Sequence, residues 1–210
     1  MDEQITTGVN VSRETYDKLR AFQALLGKWN QRINLVSKST AAAIWERHIQ
    51  DSAQIWSYAP ANVTTWLDLG SGGGLPAIVV AVIGQAEGRL GRIIMVESDQ
   101  RKSVFLREAV RTLGLNATVM DQRIEQLDPI PSDVISARAL ADLPKLLEFA
   151  HPHLKDGTRL LLPKGVRFRQ ELDEAQNRWS FAVKAHPSVT EPDAAILQLD
   201  DITPNLQDMT

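Results

Sequence analysis

The sequence of 210 residues contains no cysteine. Without a thiol it can form neither a disulfide framework nor a cysteine-ligated metal site, and no mechanism can use a cysteine nucleophile. The absence also agrees with a reducing cytoplasm, where disulfides are rare. Its histidines and carboxylates show no spacing typical of a metal site, so we expect no bound metal.

The sequence also lacks any apolar run close to the about 20 residues that cross a membrane as a helix. It starts Met1-Asp2-Glu3-Gln4, which differs from the basic and then apolar start of a signal peptide. We therefore expect no membrane association and a cytoplasmic location. A length of 210 residues, of which 43% are hydrophobic, is enough for one domain or for one domain with an extension.

Positive charge is slightly scarcer than negative charge, and the net charge is −3. This balance argues against a general nucleic-acid-coating protein. The charges are unevenly placed, however: the stretch from Arg159 to Arg169 carries four cations and no acid, and the chain from Pro187 onward carries five acids and no Lys or Arg. Two readings stay open: a local phosphate-binding face, or charges that are simply solvated on opposite faces.

Glycines are concentrated in one run, Trp66-Leu67-Asp68-Leu69-Gly70-Ser71-Gly72-Gly73-Gly74-Leu75. An apolar strand pattern precedes this turn and an apolar helix pattern follows it. Glycine has no Cβ and tolerates φ > 0, so a ligand can lie against bare backbone there and face the free N–H groups of the next helix. The arrangement is typical of doubly wound α/β folds, which bind nucleotides at the end of the first strand.

Two kinds of cofactor compete for this turn. The dinucleotide fingerprint G-x-G-x-x-G would place glycine or alanine at position 75, which is Leu75. The glycines instead read G-x-G-x-G across Gly70, Gly72 and Gly74. The preceding carboxylate, Asp68, would be poorly placed beside a pyrophosphate and better placed near an ammonium or a sulfonium. The turn therefore favours an adenosine cofactor that carries a sulfonium, and a turn without a ligand is the alternative.

A second carboxylate ends the next strand pattern, Arg92-Ile93-Ile94-Met95-Val96-Glu97. An acid at the end of the second strand of this half-fold accepts hydrogen bonds from ribose hydroxyls. The loop over residues 85–91 accounts for the long spacing between Glu97 and the glycines. We assign Glu97 to the ribose, and a solvated strand end is the alternative.

Strand and helix patterns alternate from Val63 onward. The predicted strands are Thr64–Leu69, Arg92–Glu97, Asn116–Met120, Asp133–Ala137 and Arg159–Leu162, and the predicted helices are Leu75–Ile83, Gln100–Leu113, Asp142–His151 and Phe168–Arg178. This alternation predicts an α/β fold with a mostly parallel, doubly wound sheet. The segments Phe181–His186 and Ala195–Leu199 predict an antiparallel hairpin at the edge of the sheet.

Two helical stretches precede the sheet. Apolar residues recur at helical spacing from Tyr16 to Trp29, with Ser12 as the candidate N-cap, and a second stretch runs from Thr40 to Tyr58. We therefore divide the chain into a helical extension, residues 1–62, and a Rossmann-like cofactor-binding domain, residues 63–210.

Further polar residues follow the later strands or lie in the extension. Arg123-Ile124-Glu125 follows the third strand, near the expected position of an adenine, and Arg138 and Lys164 follow the fourth and fifth strands. The fourth strand borders the topological switch point, so Arg138 is a stronger functional candidate than a surface arginine. Asn34 and the pair Arg47-His48 lie in the helical extension.

Together these residues resemble the RsmG family, also called glucose-inhibited division protein B. The resemblance covers nearly the whole chain and is carried by Trp29-Asn30, Asn34-Leu35, Arg47-His48-Ile49 with Asp51-Ser52, the run from Asp68 to Pro76, Val96-Glu97-Ser98, Lys102, Phe105-Leu106, Arg123-Ile124-Glu125, Ala137-Arg138-Ala139 and Lys164-Gly165. The Arg-His-Ile-x-Asp-Ser and Ala-Arg-Ala stretches are far more specific than the glycine turn. Two departures are Ala77, where the family commonly has glycine, and Pro163 before Lys164.

The resemblance implies the class I S-adenosylmethionine-dependent methyltransferase fold and methyl transfer to N7 of a guanine in bacterial 16S ribosomal RNA, with S-adenosylhomocysteine as product. It implies a cofactor pocket lined by Gly70, Leu75, Ile124, Glu125 and Arg138, to which the turn and the strand end add Asp68, Gly72, Gly74 and Glu97. We assign RNA contacts to Asn34, Arg47, His48, Lys164, Arg167 and Arg169. We expect a monomer that acts on the small ribosomal subunit.

Guanine N7 carries a free lone pair, so its attack on a methyl sulfonium needs no general base. Holding N7 in line with the S–CH3 bond should supply most of the rate. Arg138 and Lys164 are the candidate catalytic residues because a cation can bond guanine O6, although two cations also repel the purine as it becomes cationic. Because the N7 edge is buried in the deep groove of A-form RNA, we expect an unpaired target base. The alternatives are an NAD-dependent oxidoreductase and a non-catalytic ribosome-associated nucleotide-binding protein.

Overall fold

The computed structural model describes residues 3–5, 9–37 and 41–205. Its first element is a short antiparallel hairpin of β1 (Glu3–Ile5) and β2 (Val9–Val11), which the sequence patterns did not predict. Helix α1 (Arg13–Asn30) follows. Ser12 caps this helix as predicted, because its hydroxyl accepts a hydrogen bond from the backbone N–H of Thr15.

The second predicted helix is a succession of short helical turns rather than one regular helix. It consists of a 3-10 turn (Ala41–Ala43), a π-helical turn (Trp45–Gln50), the α-helical turn α2 (Asp51–Ala53) and a 3-10 segment (Gln54–Tyr58). Thr40, the predicted start, lies outside the described residues. The π-helical turn carries Arg47 and His48. Such turns are rare and occur frequently at functional sites.

A seven-stranded sheet forms the centre of the molecule. Its strands are β3 (Val63–Leu69), β4 (Leu90–Glu97), β5 (Ala117–Asp121), β6 (Val134–Ala137), β7 (Arg159–Lys164), β8 (Trp179–Pro187) and β9 (Ala195–Pro204). Their order is β5-β4-β3-β6-β7-β9-β8, in which β9 runs antiparallel to both neighbours and the other pairs are parallel. The prediction of a mostly parallel sheet with an antiparallel edge hairpin is confirmed. The topological switch point lies between β3 and β6.

Helices follow four of the five parallel strands, β3, β4, β6 and β7. They are α3 (Ala77–Ala86), α4 (Gln100–Leu113), α5 (Leu143–Ala150) and α6 (Phe168–Gln176). Asp99 caps α4 and Asp142 caps α5 through side-chain hydrogen bonds to backbone N–H groups of the first turn. These bounds differ from the predicted ones by no more than a few residues, the usual uncertainty of helix ends.

Alternation along the central strands sorts their side chains onto two faces of the sheet. Trp66 and Met95 belong to one core, which they share with α1, α3 and α4. Leu67 and Ile94, their neighbours in the sequence, belong to the other core, which they share with α5 and α6. This period of two, with helices packed on both faces, is the doubly wound arrangement that the sequence predicted.

The helical extension packs directly on the sheet and its helices. Phe22 of α1 stacks on Phe105 of α4 with 6.4 Å between ring centroids. The ring centroids of Trp56 and of Trp66 in β3 are 6.2 Å apart. Residues before and after position 62 share this core, and the division into 1–62 and 63–210 stays a prediction. None of the helices in the described ranges has the length and apolarity that a membrane crossing needs.

Candidate functional site

The glycine turn between β3 and α3 contains three left-handed glycines. The φ angles of Gly70, Gly72 and Gly74 are 67°, 53° and 74°. At Gly74 a Cβ would lie 2.6 Å from Cγ1 of Ile78, so glycine is needed there to close the turn onto α3. At Gly72 a Cβ would meet nothing nearer than the Gly70 carbonyl oxygen at 3.8 Å, so its backbone borders open space.

A cavity of about 390 Å³, called here the first cavity, lies along this turn and the carboxyl ends of the neighbouring strands. Its volume is in the range of about 300–1,000 Å³ that is typical of small-molecule sites. The predicted cofactor residues Gly70, Gly72, Leu75, Glu97, Ile124, Glu125 and Arg138 all line it. The structure therefore brings together seven of the nine side chains and turn residues predicted to bind a cofactor, and it places Asp68 and Gly74 behind the wall.

Glu97 joins the end of β4 to the glycine turn. It is 8% exposed, and its Oε2 accepts a hydrogen bond from the backbone N–H of Gly72 over 2.8 Å. Its Oε1 accepts from the backbone N–H of Asp99 over 2.8 Å. Each carboxylate oxygen thus keeps a further lone pair for a ligand in the first cavity.

Asp68 lies beneath the glycine turn and is 1% exposed. Its Oδ1 accepts a hydrogen bond from the hydroxyl of Ser136 over 2.5 Å, and its Oδ2 is buried without a hydrogen-bond partner among the described residues. Burial raises the pKa of Asp68 to about 6, although the Ser136 hydroxyl and the positive charge of Arg138 act in the opposite direction. A direct contact between Asp68 and a cofactor stays a prediction.

The first cavity also has lining residues outside the predicted set, among them Leu35, Ser98, Lys102 and Phe149. Leu35 reaches the cavity from the extension, because Asn30 Oδ1 accepts hydrogen bonds from the N–H groups of Leu35 and Val36 over 2.9 and 3.0 Å. Leu35, Ser98 and Lys102 belong to the motifs that carry the family resemblance, so a signal for them was present. Phe149 lies within the ordinary apolar pattern of α5 and gave none.

Arg138 follows β6 and stands between the first cavity and a second one. It lines both cavities, as does Ala139, whose φ of 52° is rare for a residue other than glycine. Its Nη1 donates to Oδ2 of Asp51 over 3.3 Å, and its Nη2 donates to Nδ1 of His48 over 3.3 Å. The helical extension therefore holds the cation at the junction of the two cavities.

His48 supports Arg138 as a neutral side chain. A guanidinium has only donors, so the Nδ1 atom that faces Arg138 carries no proton. Burial lowers the pKa of His48 to about 4, and the positive charge of Arg138 acts in the same direction. His48 is largely buried, and its predicted contact with RNA stays a prediction.

The second cavity has a volume of about 320 Å³ and lies between the extension, the ends of β6 and β7, and the loop between β8 and β9. Three cations and three carboxylates line it in the described part of the chain. They form three ion pairs: Arg47 with Glu191, Arg138 with Asp51 and Lys164 with Glu171. Asp51 also accepts hydrogen bonds from Gln54 and from Thr190 of the β8–β9 loop.

Lys164 is placed in the second cavity by the end of β7. Its side chain is 8% exposed, and its Nζ donates to Oε2 of Glu171 over 2.6 Å and to the Ala141 carbonyl over 2.9 Å. Pro163 also lines the cavity, so this departure from the family does not divert Lys164 from it. The other departure, Ala77, is the buried first residue of α3.

The remaining predicted RNA-binding residues lie around the cavities. Arg47 lines the second cavity, and Asn34 is exposed beside Leu35 of the first cavity. Arg167 and Arg169 are exposed at the start of α6 and line neither cavity. Within the described ranges, no three His, Asp or Glu side chains are grouped as a metal site would require.

The sheet order, with an antiparallel strand next to its edge, and the cavity over a glycine turn define the class I S-adenosylmethionine-dependent methyltransferase fold. The crystal structure of ribosomal protein L11 methylase from Lactobacillus delbrueckii subsp. bulgaricus has the same fold. Its TM-score is 0.58 at 15% sequence identity, over 76% of this chain and 79% of that chain.

The family is given by sequence. The family model of GidB, rRNA small subunit methyltransferase G, matches residues 15–198. The ribosomal RNA small subunit methyltransferase G of Cereibacter sphaeroides is 52% identical over 94% of this chain and 95% of its own. The ribosomal RNA small subunit methyltransferase G of Ruegeria pomeroyi is 48% identical over 93% of this chain and 95% of its own. The chain belongs to the rRNA small subunit methyltransferase G family, which confirms the resemblance and decides against an oxidoreductase.

Proposed function

We propose that this protein transfers the methyl group of S-adenosylmethionine to N7 of a guanine in 16S ribosomal RNA. The observation that carries the proposal is the wall that the two cavities share, formed by Arg138 and Ala139. A cofactor in the first cavity and a base in the second would meet at this wall. Membership of a family named for ribosomal RNA small subunit methylation supports the choice of substrate.

The residues of the first cavity fit S-adenosylmethionine. Glu97 keeps acceptor capacity for ribose hydroxyls, and Leu75, Ile124 and Phe149 supply apolar surface for an adenine ring. Beneath the turn, Asp68 offers a buried carboxylate oxygen without a partner among the described residues, which favours a cationic group nearby. When bound, S-adenosylmethionine supplies an electrophilic methyl group on a sulfonium.

The work left to the protein is to hold the base and exclude water. Guanine N7 has no proton to lose, and the nearby His48 is already committed to Arg138 as an acceptor. Arg138, which lines both cavities, can donate to O6, the atom beside N7, and Asp51 and His48 fix its orientation. Positioning of N7 by Arg138 is therefore the main contribution to the rate in this proposal.

Ion pairing reduces the repulsion between the two cations and a purine that becomes positively charged. Arg138 and Lys164 each have a carboxylate partner in the same cavity, Asp51 and Glu171. The second cavity therefore has no surplus positive charge from its described lining residues. Such a site suits a base that is neutral before the reaction and cationic after it.

The RNA backbone is assigned to the surface outside the second cavity, where Arg167 and Arg169 are exposed. The proposal includes an unpaired target base, because side chains cannot reach the N7 edge in A-form RNA. It also includes a monomeric enzyme that meets small ribosomal subunits in the cytoplasm.

The test is methylation of small subunits that lack the modification. Purified protein is incubated with them and with S-adenosylmethionine that carries a labelled methyl group. We expect label in 16S ribosomal RNA, and borohydride reduction followed by aniline should cleave the RNA at one 7-methylguanosine. Label in another position of the base would contradict N7, and cofactor binding without transfer to any subunit preparation would favour the non-catalytic alternative.

A further inference from the structure

The three carboxylates that line the second cavity are not equally free to bind a substrate. This matters because a neutral guanine presents both acceptors and donors: N7 and O6 accept, whereas N1–H and the N2 amino group donate. The inference that follows rests on the proposed function, in which N7 faces the wall that Arg138 and Ala139 share with the first cavity. In that orientation the donor groups of the base point away from this wall.

Two of the three carboxylates are committed. Asp51 accepts from Gln54 and Thr190 at Oδ1 and from Arg138 at Oδ2. Glu191 forms an ion pair with Arg47 in which both side chains are more than two-fifths exposed, so its position is not fixed by packing.

Glu171 differs from both. Its Oε2 accepts two hydrogen bonds, from Nζ of Lys164 over 2.6 Å and from the backbone N–H of Leu143 over 2.9 Å. Its Oε1 has no hydrogen bond to any described residue, and the side chain is 17% exposed on the cavity wall. The carboxylate is thus held at one oxygen and available at the other.

We propose that Oε1 of Glu171 accepts hydrogen bonds from N1–H and the N2 amino group of the target guanine and so selects guanine. Adenine has an acceptor at N1 and no amino group at C2, so a bound adenine would cover Oε1 of Glu171 without giving it a hydrogen bond. The same contact favours the reaction. Positive charge that develops on the purine makes N1–H and N2–H stronger donors, so the hydrogen bonds to Glu171 strengthen in the transition state.

The test compares guanine with inosine at the target position, because inosine lacks only the N2 amino group. RNA ligation places either nucleotide in a small-subunit RNA that is reconstituted into subunits, and kcat/KM is measured for each. For the wild-type protein we expect inosine to lower kcat/KM about tenfold, the size of a lost base-edge hydrogen bond. For Glu171→Gln, whose amide cannot accept in place of Oε1 while its oxygen serves Lys164 and Leu143, we expect a loss with guanine and a guanine-to-inosine ratio near one.

The matched control is Glu174→Gln, which makes the same charge change one turn further along α6 at an exposed residue outside the cavity. It should keep both kcat/KM values and their ratio. Glu171→Asp retains the charge but withdraws the carboxylate by one methylene, and it should lower the ratio as well. If Glu171→Gln does not keep the wild-type melting temperature and affinity for S-adenosylmethionine, the inference is tested with Glu171→Asp instead.

Two outcomes overturn the inference: a wild-type guanine-to-inosine ratio near one, or a ratio that is unchanged in the Glu171 variants. An unchanged ratio with an equal loss for both nucleotides would mean that Glu171 only supports Lys164 and α5. Failure of the proposed function would look different, because the wild-type protein would then transfer no methyl group to N7 of the guanine substrate.

Discussion

The carboxylate of Glu97 accepts a hydrogen bond from the backbone N–H of Gly72 over 2.8 Å, and this ties the end of β4 to the glycine turn after β3. The other oxygen accepts from the N–H of Asp99, the residue that caps α4. One side chain therefore holds the turn, the start of α4 and one wall of the first cavity in a fixed relation.

Replacing Glu97 should separate its structural role from its role in cofactor binding. Glu97→Gln keeps one acceptor oxygen, whereas Glu97→Ala keeps none and leaves the N–H of Gly72 without its partner. We expect both variants to bind S-adenosylmethionine more weakly, and we expect the larger loss of binding free energy for Glu97→Ala. A hydrogen bond to a charged group contributes about 1.5–3 kcal/mol. Calorimetry measures the affinities, and thermal melting should show that only the Ala variant is clearly destabilised.

Glu14→Ala is the control, since this glutamate is on the exposed face of α1 and its ion pair with Lys18 is solvated. Wild-type affinity in both Glu97 variants would show that the carboxylate is a structural support without a role in ribose binding.

Gly72→Val tests the open side of the glycine turn. Gly72 has a φ of 53° and lines the first cavity, so a branched side chain would both strain the backbone and fill the cavity. We expect loss of S-adenosylmethionine binding in a protein that still folds. Gly88→Val is the matched control: Gly88 has a φ of 67° and a Cβ there would meet nothing within 4 Å. Both variants carry a left-handed penalty of about 1–2 kcal/mol. Equal binding by the two variants would remove Gly72 from the cofactor site.

The fold and the outline of the site were predictable because their signals are local. Short apolar runs marked the strands, and Ser12, Asp99 and Asp142 stood where helices begin. The glycine turn and Glu97 followed from the positions of two strand ends, because the carboxyl ends of parallel strands meet at one edge of a sheet.

The partners of the site residues were not predictable in this way. Arg138 is 87 residues from Asp51 and 90 from His48, and their contact exists only because the extension packs beside β6. Lys164 and Glu171 are close in sequence, but the end of a strand and the start of a helix lie between them. Their ion pair therefore has no helical spacing from which it could be predicted. The irregular turns from Ala41 to Tyr58 were hidden for a similar reason, since tertiary packing overrides the helical pattern there.

The pH dependence of stability should reveal the buried Asp68. Its pKa is raised from 3.8 to about 6, so the folded protein binds a proton here more tightly than the unfolded chain does. The resulting stabilisation is complete below pH 3.8 and is lost as the pH rises through about 6. A shift of about two units corresponds to about 3 kcal/mol.

Asp68→Asn removes this titration while it keeps an acceptor for the Ser136 hydroxyl. Relative to the wild-type protein, we expect the free energy of unfolding of Asp68→Asn to increase between pH 4 and pH 7 by up to about 3 kcal/mol. Urea denaturation of both proteins across this range measures the difference. A difference that does not change with pH would mean that Asp68 titrates as an ordinary carboxyl group. Without cofactor in the assay, the experiment reports on the carboxylate alone.

Arg167 and Arg169 test where the RNA backbone lies. Both are exposed at the start of α6, a few residues after the end of β7, which places Lys164 in the second cavity. We expect the double change of both to Glu to lower methylation of small subunits and to leave affinity for S-adenosylmethionine unchanged. The salt dependence of RNA binding should also flatten, because each lost phosphate contact removes about 0.7–0.9 of a unit from the slope of log K against log salt.

The matched control changes Arg107 and Arg111 to Glu, on α4 across the sheet, and should leave turnover and slope as they are. If the Arg167 and Arg169 variant also keeps the wild-type turnover and slope, the two arginines only solvate the start of α6 and the RNA crosses another surface.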